Sequence, residues 1–214
     1  MINFLSRARL LVVAMAVLAL LAASCSSSGD TTDTANTAAA TDVTFESAGD
    51  PNAIVALPTL DRSETDPAVG MAAPRIEGTG YDGETIVLGA EGAPQVIAFL
   101  AHWCPHCQDE MPVVNDWIAS GAVPAGVEVV GVATSISPDR DNYPPEDWFA
   151  ADGPLLPGLP DPDNTIAANY GMPGFPYWVA VNADGTVAAR AAGNLSVNVM
   201  QELADMVANS TPPT

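Results

Sequence analysis

The stretch Gln95–Ala101 is apolar from Val96 onward and passes without a turn signal into His102-Trp103-Cys104-Pro105-His106-Cys107. A run this short and this uniformly apolar reads as a strand buried on both faces. The residues after it keep another period: Met111, Val114, Trp117 and Ile118 fall on one face of a helix predicted from Pro105 to about Ser120. A buried strand that becomes an amphipathic helix within a few residues, with a Cys-x-x-Cys pair at the junction, constrains the fold more than any other feature of this chain.

The flanking segments extend the pattern. Arg75–Gly80 and Thr85–Leu88 lie on either side of Tyr81-Asp82-Gly83, a hairpin signal. Val127–Thr134 is a second buried strand. Residues 138–162 are rich in Pro, Asp and Gly and read as an insertion, with one helical turn around Glu146–Ala150 and Trp148 and Phe149 seating it. Asp163–Tyr170 is a short helix. Pro176–Asn182 and Thr186–Arg190 are strands joined by Ala183-Asp184-Gly185. Ser196 is placed to cap a last helix, with Leu195 and Met200 as a hydrophobic staple and Leu203, Met206 and Val207 as apolar positions. Strand–helix–strand followed by a hairpin and a helix predicts an α/β domain with a mixed central sheet flanked by helices.

The junction carries the chemistry. Cys104 falls at the helix cap and Pro105 at the first helical position, where its missing N–H costs nothing. Unpaired amides and the helix dipole at such an end stabilise an anion, and a thiolate is one. Cys107, one turn on and deeper, is the natural resolving thiol, so the pair can cycle between dithiol and disulfide. A structural disulfide, a peroxidase thiol, and copper or zinc binding by Cys104, Cys107, His102 and His106 are the competing readings. Four such ligands within six residues are poorly spaced for a tetrahedral cage. His102 reads as a residue of the site's rim and Trp103 as a packing lid over the cysteines.

Charge excludes several partner classes. All six basic residues are Arg, two of them at positions 7 and 9, against 26 acidic residues. From residue 10 on, four arginines face those 26 acids, a net charge of −22. Nucleic acid and polybasic lipid contacts both need a basic patch. Arg7 and Arg9 precede an apolar run, Leu10–Ala23, too short for a bilayer-spanning helix but suited to a secretory signal. Small residues follow and end at Cys25, in a pattern that resembles a bacterial lipoprotein signal; the usual Leu three before the Cys is Ala22 here. The organisation is therefore read as signal peptide 1–24, lipid-anchored tether 25–66 beginning at an acylated Cys25, domain 67–209 and tail 210–214. Whether Ala53–Leu60, the most apolar part of the tether, packs as an arm is left open.

Trp103-Cys104-Pro105-His106-Cys107, together with Phe175-Pro176-Tyr177 and Asn182-Ala183-Asp184-Gly185, resembles the thioredoxin-fold oxidoreductases over about residues 67–209. Within them the chain is most similar to the membrane-tethered TlpA/ResA-type proteins of the bacterial envelope. Gly70-Met71-Ala72-Ala73-Pro74, Trp103 to Pro112 and Tyr170-Gly171 to Pro176 carry that likeness. The resemblance implies a cis Pro176, a substrate strand pairing beside Phe175, and no cofactor beyond the Cys104–Cys107 disulfide. It also implies substrate contacts from Trp103, Pro105, His106, Phe175 and Pro176. The buried Asp of thioredoxin is Ala98 here, and Glu110 stands where ResA-type proteins have a Glu, three residues past the second Cys. There it can shuttle the proton Cys107 must lose. Phe175 replaces the usual Thr or Val. Clients implied are cysteine-containing proteins, apocytochromes among them, with an upstream membrane thiol-redox partner. Pro105-His106 resembles the dipeptide of DsbA, an oxidant at roughly −120 mV. Most TlpA/ResA-type relatives are reductants, and the reductase direction is slightly favoured.

Overall fold

The computed structural model describes residues 54–152 and 156–210, so the signal, Cys25 and most of the tether lie outside the described residues. Two strands, β1 (Ile76–Thr79) and β2 (Thr85–Leu88), form the expected antiparallel hairpin. The remaining elements are β3 (Gln95–Leu100), α1 (Pro105–Ala119), β4 (Glu128–Thr134), α2 (Pro145–Asp152), β5 (Gly158–Asp161), α3 (Thr165–Asn169), β6 (Tyr177–Val181), β7 (Val187–Ala192) and α4 (Val197–Ala208). Five strands make one mixed sheet in the order β5-β4-β3-β6-β7. β3 runs parallel to β4, which runs parallel to β5; β6 is antiparallel to both β3 and β7.

β3 is central and all six of its residues are buried. Its two-residue period divides the core. Val96, Ala98 and Leu100 pack with Met111, Val114 and Trp117 of α1 and with Met200, Leu203 and Ala204 of α4. Ile97 and Phe99 face the other way, against Tyr170, Tyr177, Leu159 and the hairpin's Ile76 and Leu88. Helices on both faces explain why the strand reads as an unbroken apolar run rather than an alternating one.

Two features shift the boundaries expected from sequence. The insertion ends earlier than residue 162, because Gly158–Asp161 is the edge strand β5. Pro157 just before it and Pro160 within it give the segment the look of a loop. Proline is tolerated at a sheet edge, where one side of the strand bonds to no neighbour. Phe149, 4% exposed, lies over Gly131 and Gly158; a Cβ on either would come within 2.6 or 2.9 Å of its ring. α2 is thereby seated on the sheet through its aromatic pair.

The second shift is at the N-terminal side. The domain begins before residue 67: Leu57 and Leu60 are buried in the core, and their amides donate to the carbonyls of Asn169 and Gly171. Residues 54–66 are thus an arm rather than part of a free tether. Arg190 holds it, donating from Nε and Nη2 to the Asp66 carboxylate and from Nη1 to the Pro58 carbonyl at 2.8 Å. That Arg side chain is fully buried, and leaving such a charge unpaired costs about 3–5 kcal/mol. Gly171, at φ +68°, lets the arm pass, since a Cβ there would lie 2.3 Å from the Pro58 oxygen.

At the other end, Ser196 occupies the cap of α4, but its side chain makes no capping bond. Met206 is 49% exposed rather than part of the apolar face, which runs through Met200, Leu203, Ala204 and Val207. Ser210, assigned to the tail, is tied in: its hydroxyl accepts from the Ala183 N–H at 2.7 Å and donates to the Val207 carbonyl.

Candidate active site

Cys104 is the N-cap of α1, at φ −78° and ψ 122°, with Pro105 in the first turn. Its N–H donates to the Ala101 carbonyl and its own carbonyl accepts the first helical bond from Gln108, both at 3.0 Å. No side-chain oxygen caps the helix, so the first-turn amides are left facing the Cys104 side. Cys104 and Cys107 are both free thiols. Cys104 retains 6% exposure and Cys107 none.

Beneath them the site is enclosed and holds a buried carboxyl. The Cys107 sulfur accepts from the Ala101 N–H at 3.4 Å. Burial pushes the Cys107 thiol well above its ordinary range; the neighbouring Cys104 and the Glu110 charge add to the rise, and the Ala101 amide opposes it. Glu110 is 2% exposed. Its Oε1 accepts from the Leu195 N–H at 2.6 Å and its Oε2 from the Trp178 indole N–H at 3.3 Å. Burial pushes its carboxyl up to about 7, with those two donors pulling the other way. A surface Glu is therefore excluded. The spacing from Cys107 put Glu110 on the right helix face; its two partners come from β6 and from the loop before α4, which no spacing rule reveals.

The rim is aromatic. Trp103 is half-buried, and its indole N–H donates to the Ser135 carbonyl at 2.8 Å. Its ring meets Phe175 edge to face, 5.3 Å between centroids. Phe175 precedes a cis peptide bond to the buried Pro176, whose carbonyl accepts from the Gly193 N–H at 2.8 Å. Pro105 and His106 are exposed, and the His106 carbonyl accepts from the Asn194 amide. Motif and proline loop, 70 residues apart in sequence, are thus brought together.

His102 is not a rim residue. It is fully buried, and its Nδ1 lies 2.7 Å from the Asp141 carbonyl, to which it donates, while Nε2 accepts from the Ser137 N–H at 3.2 Å. The Asn142 amide donates to the His102 carbonyl at 3.0 Å. His102 therefore clamps the start of the 138–157 insertion onto the motif. With both ring nitrogens committed to the backbone, it is a poor metal ligand, which weakens the copper or zinc reading. The clamp also sets Arg140 over the Trp103 ring, 4.7 Å from its centroid. Arg140 and the His102 clamp were both missed from sequence, because their partners lie in a loop without periodicity.

A buried dithiol pair at a helix cap, next to a cis-proline loop on this sheet, defines a thioredoxin-fold enzyme of the thiol:disulfide oxidoreductase class. The chain belongs to the AhpC/TSA family, which it matches over residues 69–190. It is 30% identical over 149 residues to the soluble secreted antigen MPT53 of Mycobacterium tuberculosis, covering 70% of this chain and 75% of that protein. It is 27% identical over 157 residues to the thiol:disulfide interchange protein HelX of Rhodobacter capsulatus, covering 73% and 80% of the two. The crystal structure of a thioredoxin-family thiol:disulfide interchange protein from Chlorobium tepidum superposes with a TM-score of 0.55, covering 65% of this chain and 97% of that one at 21% identity. No helix among the described residues is long and apolar enough to cross a membrane.

Proposed function

We propose that this chain is an extracytoplasmic reductase of disulfides in cysteine-containing client proteins, working through Cys104 and Cys107. The asymmetry of the two thiols carries this reading. Cys104, at the helix cap and beside the aromatic rim, attacks a client disulfide; one client sulfur leaves as a thiol and a mixed disulfide forms. Cys107 then gives its proton to Glu110 and displaces the second client thiol, leaving the Cys104–Cys107 disulfide. Two electrons pass from the pair to the client, and no cofactor is needed. Trp103, Pro105, His106, Phe175 and Pro176 form the surface the client meets.

The reductase direction is supported by the burial of Cys107. A pair that gains little thiolate stabilisation at its second sulfur gives up electrons readily, the opposite of the DsbA arrangement. The reduction potential of the pair, measured against glutathione, is expected below about −250 mV; a value near −120 mV overturns the direction. Re-reduction then requires an upstream membrane thiol partner, and apocytochromes awaiting haem attachment fit the client class.

The extracytoplasmic setting rests on the signal-like N-terminus and on the secreted nature of MPT53. In this reading Cys25 carries the lipid anchor, so the full chain partitions into a detergent phase and its Cys25→Ser form does not; equal partitioning would remove the anchor.

A further inference from the structure

Between residues 54 and 210 the chain has four arginines and no lysine. Arg190 is spent on Asp66, and Arg75 pairs with Glu77 at 3.6 Å. Among the described residues the other two, Arg62 and Arg140, form no salt bridge: Arg140 stands on the Trp103 rim, and Arg62 lines the depression that Phe175 shares. Arg140 lies on Trp103; Trp103 meets Phe175; and Phe175 lines an open depression of about 840 Å³ with Arg62, Asp61, Leu60 and Gly193. Neither position is a loose surface accident. Arg62 extends from the anchored arm and its Nη1 reaches the Ala192 carbonyl at 3.4 Å. Arg140 sits in the segment that His102 clamps, and its own N–H donates to the Ser137 carbonyl. Asp61, beside Arg62, turns its carboxylate to the N–H and hydroxyl of Ser63 instead. Asp139 and Asp141 are exposed on either side of Arg140, so the rim is a pair of local contacts and not a region of net positive charge.

We propose that Arg62 and Arg140 are specificity determinants that select client segments carrying a carboxylate next to the reactive cysteine, seated in the depression beside Phe175. This rests on the thiol–disulfide reading above. It runs against the simplest electrostatic expectation, since the long-range field of a strongly acidic protein draws in basic clients. A carboxylate within contact of a guanidinium gains a charge-assisted hydrogen bond that field does not supply.

The test is single-turnover reduction of two peptide disulfide dimers by the fully reduced full chain. In one peptide the Cys is flanked by Asp, in the other by Lys. In each case the Cys104 thiolate attacks one peptide sulfur, the first peptide leaves as a thiol, and Cys107 displaces the second. The Asp peptide is expected to react at least about fivefold faster, with the gap narrowing in about 0.5 M salt. In the Arg62→Gln/Arg140→Gln protein the Asp-to-Lys ratio, taken within that one variant, is expected to fall below one. Equal rates in the wild type, a Lys preference, or an Asp preference that survives both substitutions would overturn the assignment. Hydroxyethyl disulfide, small and uncharged, separates the two levels. Its reduction without an Asp preference overturns only the arginine rim, whereas no reaction with any of the three disulfides overturns the thiol–disulfide reading and the rim together.

Discussion

Cys107→Ser is expected to stop the reaction half-way: client proteins accumulate on Cys104 as mixed disulfides that run as discrete adducts on non-reducing gels and dissolve with dithiothreitol. Cys104→Ser is expected to give no adducts, and each substitution is expected to lower turnover by at least about a thousandfold, since nucleophile and resolving group act as a unit. The asymmetry follows from position. Cys104 caps α1 at the aromatic rim, while Cys107 is fully enclosed one turn deeper, where desolvation holds its proton in place. In the proposed division of roles, a thiol so enclosed attacks only a sulfur delivered to it by Cys104. Equal trapping by both variants, or by neither, would dissolve the division of roles.

Glu110→Gln is expected to change both catalysis and stability, in ways that separate by pH. In the wild type the resolving step is expected to accelerate as pH rises through about 7, where Glu110 ionises and can accept a proton. The Gln protein is expected to lack that limb and to resolve mixed disulfides about a hundredfold more slowly above it. An unchanged pH–rate profile removes Glu110 from the mechanism. Stability runs the other way. The folded-state carboxyl is raised from 4.5 to about 7, so the folded protein binds the proton more tightly than the unfolded chain. The stability this contributes is present in full below pH 4.5 and is lost as pH rises through about 7. A displacement of that size is worth roughly 3 kcal/mol. Urea unfolding is therefore expected to show the wild type losing about that much, relative to Glu110→Gln, between pH 4 and pH 8. The mismatch between a Gln amide and the Trp178 N–H shifts the whole Gln curve by a constant and leaves the difference in slope intact.

Much of the fold is legible without coordinates because it depends on local period. β3 and α1 declare themselves through an apolar run and a helical stripe, and Cys104, Pro105 and Cys107 fall at their junction by counting alone. β5 was hidden because edge strands tolerate the prolines that elsewhere signal loops. The arm was hidden because Leu57 and Leu60 carry no recognisable period; only the carbonyls of Asn169 and Gly171 and the guanidinium of Arg190 define its place. Met206 shows the opposite error, a residue on a plausible stripe that faces solvent.

The sequence by itself determined that two cysteines sit one turn apart at a strand-to-helix junction, and that an acid follows on the same helix face. These are consequences of chain connectivity and of the 3.6-residue period. Only the tertiary structure decided what those groups experience. Burial among α1, α4 and the sheet makes Cys107 hold its proton and lifts Glu110 to about 7. Phe175 comes to Trp103, and His102 becomes a clamp, through contacts that span 35 to 72 residues. Desolvation and long-range contact depend on which distant surfaces close over a group, and that is information no local pattern carries.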